Sequence, residues 1–338
     1  MKSIQESFEL LQSPQHIFIT THHKPDGDAI GSMMALTHYF IKKGHKVSPV
    51  SPSEIPDFLG WIPGIELAMN YEAEPKLVDK VLADATIVFC LDFNDLSRVK
   101  SMENLLINAV QPKVLIDHHM FPKPTFEYGV SDAGKSSTCE MVYDFINLAG
   151  DNHLIDATIG TCIYTGAMTD TGSFRYPACT ASVHDMIGDL MRKGLQHSII
   201  HDEIYDSWSE RRMRFLGYVL NEKMEIFPEL ASGLITINQQ DLEKHNVQTG
   251  DTEGLVNYPL SIAGIQFATL IIERRDGIKM SFRSKGSFDV NAFAREHFSG
   301  GGHFNASGGQ SSQSFTETIL CFKKILSEFH PQLKNNNN

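Results

Sequence analysis

His16–Ser32 reads HIFITTHHKPDGDAIGS. HIFIT is a short apolar run of the kind that forms a buried strand. It leads directly into His22, His23, Asp26 and Asp28, gathered in one turn. Pro25 restricts φ there, and Gly27 tolerates a tight bend. Apolar spacing from Asp28 to Lys43 predicts a helix, with Gly44 as its C-terminal cap. Two carboxylates this close repel one another unless a cation sits between them, so the turn is a candidate metal site. The plainer alternative is a polar turn in which Asp28 caps the helix.

The same strand-then-acid pattern recurs. Ala85–Leu91 (ATIVFCL) is apolar and ends in Asp92, within LDFND. Val114–Ile116 is apolar and ends in Asp117-His118-His119. Val47–Val50 reads as a further strand, and 137–148 and 154–168 as helices, the second leading to Asp170 in GAMTDTGSF. Alternating strands and helices predict an α/β fold with a largely parallel sheet flanked by helices. Such sheets bind ligands beyond the carboxyl ends of their strands, where this chain places its acids and histidines. The donors are mostly carboxylate oxygens with some imidazoles and no thiolate, which favours Mn²⁺, with Mg²⁺ as the alternative.

The chain has 338 residues, enough for two domains, and a formal charge of -12. An acidic chain does not coat long duplex nucleic acid, which requires many Lys and Arg at phosphates. No apolar stretch reaches the roughly 18 residues of a membrane span. The start, MKSIQESFELLQSPQ, lacks the apolar run of a secretion signal, so a cytoplasmic protein is expected. Five scattered cysteines read as reduced core residues. Residues 198–221 are charged and helical, as a linker helix or a pair of short helices. Strands over 233–237, 265–272 and 278–282, a helix over 290–297 and the cluster SGGGHFNASGG predict a smaller second α/β domain. There Ser281–Lys285 (SFRSK) ends a strand, and the fork of Arg283 suits a phosphate. Gly300–Gly302 read either as a flexible loop or as an anion-binding turn of exposed amides.

Taken together, HHKPDGDAIGS, LDFND, IDHH and GAMTDTGSF resemble, in order, the motifs of the DHH phosphoesterases, and Ser299–His303 with Ala306 resembles the DHHA1 hallmark. The motifs span residues 22 to 309. The resemblance implies a DHH catalytic domain over 1–195, a helical linker over 196–222, a DHHA1 substrate domain over 223–334 and a disordered tail over 335–338. It implies two divalent metals: His22 and Asp26 on one, Asp28, His118 and Asp170 on the other, and Asp92 bridging them. His119 would face the substrate phosphate, and His23 would play a supporting part. Arg283, Ser284, Lys285, Gly300, Gly301, Gly302 and His303 would hold substrate across a cleft from the metals. Phe93 and Ser307 depart from the family pattern and put pocket shape in doubt.

The implied activity is hydrolysis of short RNA to mononucleotides and removal of the 3′-phosphate of 3′-phosphoadenosine-5′-phosphate. It implies a small nucleotide substrate and no membrane partner, and is compatible with a homodimer. The alternatives are a cyclic or linear dinucleotide phosphodiesterase, a pyrophosphatase or exopolyphosphatase, and an inactive nucleotide-binding regulator. The Gly-Gly-Gly-His motif argues against a pyrophosphatase, and six filled metal positions argue against the regulator.

Overall fold

The computed structural model describes residues 1–248 and 250–328, so the tail expected over 335–338 and the expected domain end at 334 lie outside the described residues. The chain forms two compact units, Met1–Ser207 and a second from Trp208 onward.

In the first unit, strands β1 (Lys2–Ser3), β2 (His16–Thr20), β3 (Lys46–Ser51), β4 (Met69–Asn70), β5 (Ile87–Leu91), β6 (Lys113–Asp117) and β7 (Tyr128–Ser131) make one sheet. Its order is β1-β7-β6-β5-β2-β3-β4, with every pair parallel. Central strand β5 is buried along its whole length, which is why IVFCL shows no polar alternation. Its side chains divide between two cores: Ile87, Phe89 and Leu91 on one face, Val88 and Cys90 on the other.

The helices of this unit are α1 (Gly27–Lys42), α2 (Pro75–Asp84), α3 (Glu103–Asn108), α4 (Thr138–Leu148), α5 (Ala157–Asp170), α6 (Ala181–Arg192) and α7 (His197–His201). Helix α1 is capped by Asp26 rather than Asp28: its carboxylate accepts from the amides of Asp28 and Ala29, both at 3.1 Å. This leaves Asp28 inside the first turn. Helix α5 starts later than the apolar spacing suggests, because Asp156 caps it at Ile159, and it continues through Asp170. The 198–221 stretch is two helical pieces separated near Ser207–Ser209; α8 (Glu210–Tyr218) opens the second.

The second unit has strands β8 (Met224–Phe227), β9 (Ser232–Ile237), β10 (Phe267–Arg274), β11 (Gly277–Ser284), β12 (Gly301–Gly302) and β13 (Ala306–Ser311), ordered β12-β13-β11-β10-β9-β8. Only β9 and β10 are parallel. Helices α10 (Val290–His297) and α11 (Phe315–Glu328) cover one face through Phe293 and Phe322; α8 and α9 (Gln239–Lys244) cover the other through Phe215 and Leu242. The glycine cluster is not a loose loop. Gly301 and Gly302 pair with Gly308 and Ser307, and a Cβ on Gly302 would lie 2.7 Å from the Ala306 carbonyl oxygen.

Helices α1 and α5 cross closely enough that both need glycine. A Cβ on Gly31 would stand 2.5 Å from the Cys162 carbonyl oxygen. One on Gly166 would collide with the Cys139 sulfur and lie 2.7 Å from the Asp28 carboxylate. Overpacking of this kind costs roughly 1–3 kcal/mol. Gly166→Ala is therefore expected to lower Tm by roughly 3–10 °C in calorimetry. An unchanged Tm would mean that the crossing is slack.

Candidate metal centre

Strands β6, β5 and β2 are neighbours and parallel, so their carboxyl ends share one edge of the sheet. His22 follows β2, Asp92 follows β5, and Asp117-His118-His119 closes β6. Helices α1 and α5 add Asp28 and Asp170 from above that edge.

Asp92 stands at the centre. Its Oδ2 lies 3.4 Å from His22 Nε2, and its Oδ1 lies 3.5 Å from His118 Nε2. His22 Nε2 is also 3.8 Å from Asp26 Oδ2. His118 Nε2 is 3.8 Å from Asp28 Oδ2 and 3.4 Å from Asp170 Oδ2. Asp92 thereby joins His22/Asp26/Asp92 and Asp28/Asp92/His118, and it also stands with Asp117 and His119; within each of these donor sets the atoms lie within 4.8 Å of one another. Donors about 2.1 Å from a shared ion stand roughly 3–4.2 Å apart, the range of the spacings here.

The polar surroundings also suit cations. His22 Nδ1 donates to the His23 carbonyl at 3.1 Å, and His118 Nδ1 to the Lys135 carbonyl at 3.4 Å. Each ring thereby directs Nε2 at the carboxylates, as metal-binding histidines do. Burial, then the charges of Asp92 and Asp170, push the Asp28 carboxyl well above its usual range. Burial raises Asp170 to about 6. Burial would lower His118, but Asp170, Asp92 and Asp28 outweigh it and lift the ring to about 9. Burial likewise opposes ionisation of Asp92, yet the hydrogen bond to His22 and the neighbouring imidazoles hold it well below the ordinary carboxylate range. The cluster carries more negative charge than its own groups neutralise comfortably, so oxygen-favouring divalent ions fit it. Asp28 is 1% exposed, whereas the Asp26 side chain is 53% exposed, so solvent reaches the centre from the Asp26 side.

Sequence reading overlooked the groups that hold these acids. The first amides of α4, on Thr138 and Cys139, donate to Asp28 at 2.6 and 2.9 Å, and the Thr138 hydroxyl donates to Asp92 Oδ1 at 2.9 Å. Ser137 caps that helix, and Ser136 donates twice to Glu140. The run Ser136-Ser137-Thr138-Cys139-Glu140 carried a capping pattern that could have flagged the site. His119 Nδ1 donates to Asp117 Oδ1 at 2.8 Å, which sets its tautomer. His23 turns away to Glu72 at 3.1 Å. Phe93 is fully buried against Phe126, so it fills the core and not a pocket.

In the second unit, Arg283 lies opposite Ala306 across β11 and β13, and the Ala306 carbonyl accepts from the His303 amide at 2.8 Å. Register thus brings Arg283, Gly302 and His303 to one end of that sheet. The Ser307 hydroxyl donates to the His303 carbonyl at 2.8 Å and pins the same turn. The Ser284 hydroxyl donates to the Phe288 carbonyl, and the Lys285 ammonium to the Leu260 carbonyl.

Residues 16–167 match the DHH family, N-terminal domain, and residues 232–331 match the DHHA1 domain. The chain is 31% identical to the bifunctional oligoribonuclease and PAP phosphatase NrnA of Thermus thermophilus, over 91% of this chain and 87% of that one. It is 28% identical to a Streptococcus mutans protein described as a probable enzyme of the same name, over 87% and 89%. The crystal structure of an exopolyphosphatase-related protein from Bacteroides fragilis matches with a TM-score of 0.93 and 36% identity, covering 98% of this chain and 97% of the other.

Thr138 touches both Asp28 and Asp92, so its hydroxyl can be tested alone. Thr138→Val keeps the shape and removes the donor, while Thr138→Ser keeps the donor. Titration against a competing chelator should show Mn²⁺ affinity about 10-fold weaker in the valine variant and near wild type in the serine variant. Equal affinities in all three proteins would mean that Asp92 needs no such anchor.

Proposed function

The chain belongs to the DHH family, and from that membership we propose a two-metal phosphoesterase that hydrolyses short oligoribonucleotides to mononucleotides and removes the 3′-phosphate of 3′-phosphoadenosine-5′-phosphate. The observation that carries this reading is the division of the Asp92 carboxylate between two donor sets. His22 and Asp26 would hold one ion, and Asp28, His118 and Asp170 the other, with Asp92 shared. Mn²⁺ suits this mixture of oxygen and imidazole best. Bound there, such ions supply Lewis acidity that polarises phosphoryl oxygens and acidifies water.

The remaining work falls to the side chains. Asp117 keeps the proton of His119 on Nδ1, so Nε2 is the ring nitrogen that would meet the reacting phosphate. Thr138 and the α4 amides hold Asp28 and Asp92 in preset positions through these hydrogen bonds. Arg283, the glycine hairpin and His303 would grip a second phosphate or base of the substrate. Relatives named as oligoribonucleases and PAP phosphatases support the substrate assignment. The exopolyphosphatase-related structure supports polyphosphate as a second substrate reading.

A substrate panel decides between them: RNA of two to five nucleotides, a long RNA, the bisphosphate nucleotide, a cyclic dinucleotide and polyphosphate. With Mn²⁺, the short RNAs and the bisphosphate nucleotide should turn over fastest, and excess chelator should stop the reaction. Asp92→Asn should lose bound metal and more than about 100-fold in rate together. Rapid polyphosphate cleavage with inert short RNA would overturn the substrate assignment.

A further inference from the structure

One cation on a turn tied to His23 makes no polar side-chain contact among the described residues. Of the ten arginines in the chain, Arg98 is the only one whose guanidinium makes no hydrogen bond, ion pair or ring contact among the described residues. Its side chain is no solvated surface arm, because the residue is half-buried.

The Arg98 backbone is fixed at both ends. Its amide donates to the Asp95 carbonyl at 3.0 Å, within a turn over Leu96–Met102 that Asp95 caps. Its carbonyl accepts from the His23 amide at 2.9 Å, which ties this turn to the His22-His23 turn. The chain leaves this position through Lys100 in a left-handed conformation, φ 50°. Through the hydrogen bond from His23, the Arg98 backbone lies directly beside the residue that follows His22. Carboxylates are at hand, yet Glu72 pairs with His23, and the Asp95 side chain accepts from the Ser97 amide. A partly desolvated guanidinium with no acceptor is costly unless an anion completes it. Its planar fork matches phosphate oxygens.

We propose that Arg98 binds a phosphate oxygen of the substrate, forming an anion subsite on the His22 side of the centre. The proposal deepens the phosphoesterase reading and rests on it for the identity of the anion as a nucleotide phosphate. It gives the first unit a phosphate contact of its own, independent of Arg283.

The test compares wild type with Arg98→Ala and Arg98→Lys. Manganese content and Tm are measured first, then binding of AMP and of inorganic phosphate to the metal-loaded proteins by calorimetry, then kcat/KM on a diribonucleotide. Arg98→Ala should keep its metal and Tm, bind both anions roughly 10–100-fold more weakly, and lose kcat/KM in step. Arg98→Lys should recover part of the binding, since it restores charge without the fork. Added guanidinium ion should partly rescue the alanine variant. Anion binding unchanged in Arg98→Ala would overturn the proposal, as would loss of manganese in proportion to activity. Arg98-dependent phosphate binding by a wild type that cleaves no nucleotide would support the subsite and sink only the nucleotide assignment.

Discussion

The whole centre depends on where one carboxylate sits. Asp92 leaves the middle strand of the first unit's sheet in a left-handed conformation, φ 62°. Aspartate tolerates that region better than most residues, although the conformation still costs about 1–2 kcal/mol. The bend keeps the carboxylate over the strand end, between the histidines that follow the two neighbouring strands. One oxygen then faces His22 and the other His118. If Asp92 continued the strand, the two donor sets would have no shared member.

Packing so many acids together works only because other parts of the fold answer them. Helix α4 directs its first amides and the Thr138 hydroxyl at Asp28 and Asp92, so its positive end stabilises negative charge where water is excluded. Gly31 and Gly166 let α1 and α5 approach until Asp28 and Asp170 converge on His118. Asp26 serves twice: Oδ1 caps α1, and Oδ2 faces His22. Stability and chemistry share these groups, and divalent ions of the kind the proposed reaction needs would relieve their charge frustration.

Each unit carries an arginine on a fixed element that could meet an anion. In the second unit, the β11–β13 register places Arg283 beside the turn that carries His303. In the first, Arg98 stands on a turn tied to the His22-His23 segment. A phosphodiester carries little hydrophobic surface, so charge-assisted contacts are the strong ones available for gripping it.

Much of this was legible in the chain itself. Uninterrupted apolar runs ending in Asp or His declared buried parallel strands with a polar edge, because a strand covered on both faces has no polar alternation. Acids and histidines so close in sequence limited what could occupy the turn, since like charges must be compensated. Local spacing could not say that Asp26, not Asp28, caps α1, because both acids stand at the start of the apolar spacing, and the amides that Asp28 accepts from lie on α4, distant in sequence. Nor could it find Thr138, which lies 46 residues from its partner Asp92, or show that Phe93 faces the core. It could not single out Arg98, because an arginine's lack of a partner among the described residues becomes visible only once their carboxylates have been placed. Periodicity reports what each residue does within its own element; the pairing of groups distant in sequence is decided by strand order and helix crossing, and only the tertiary structure holds those.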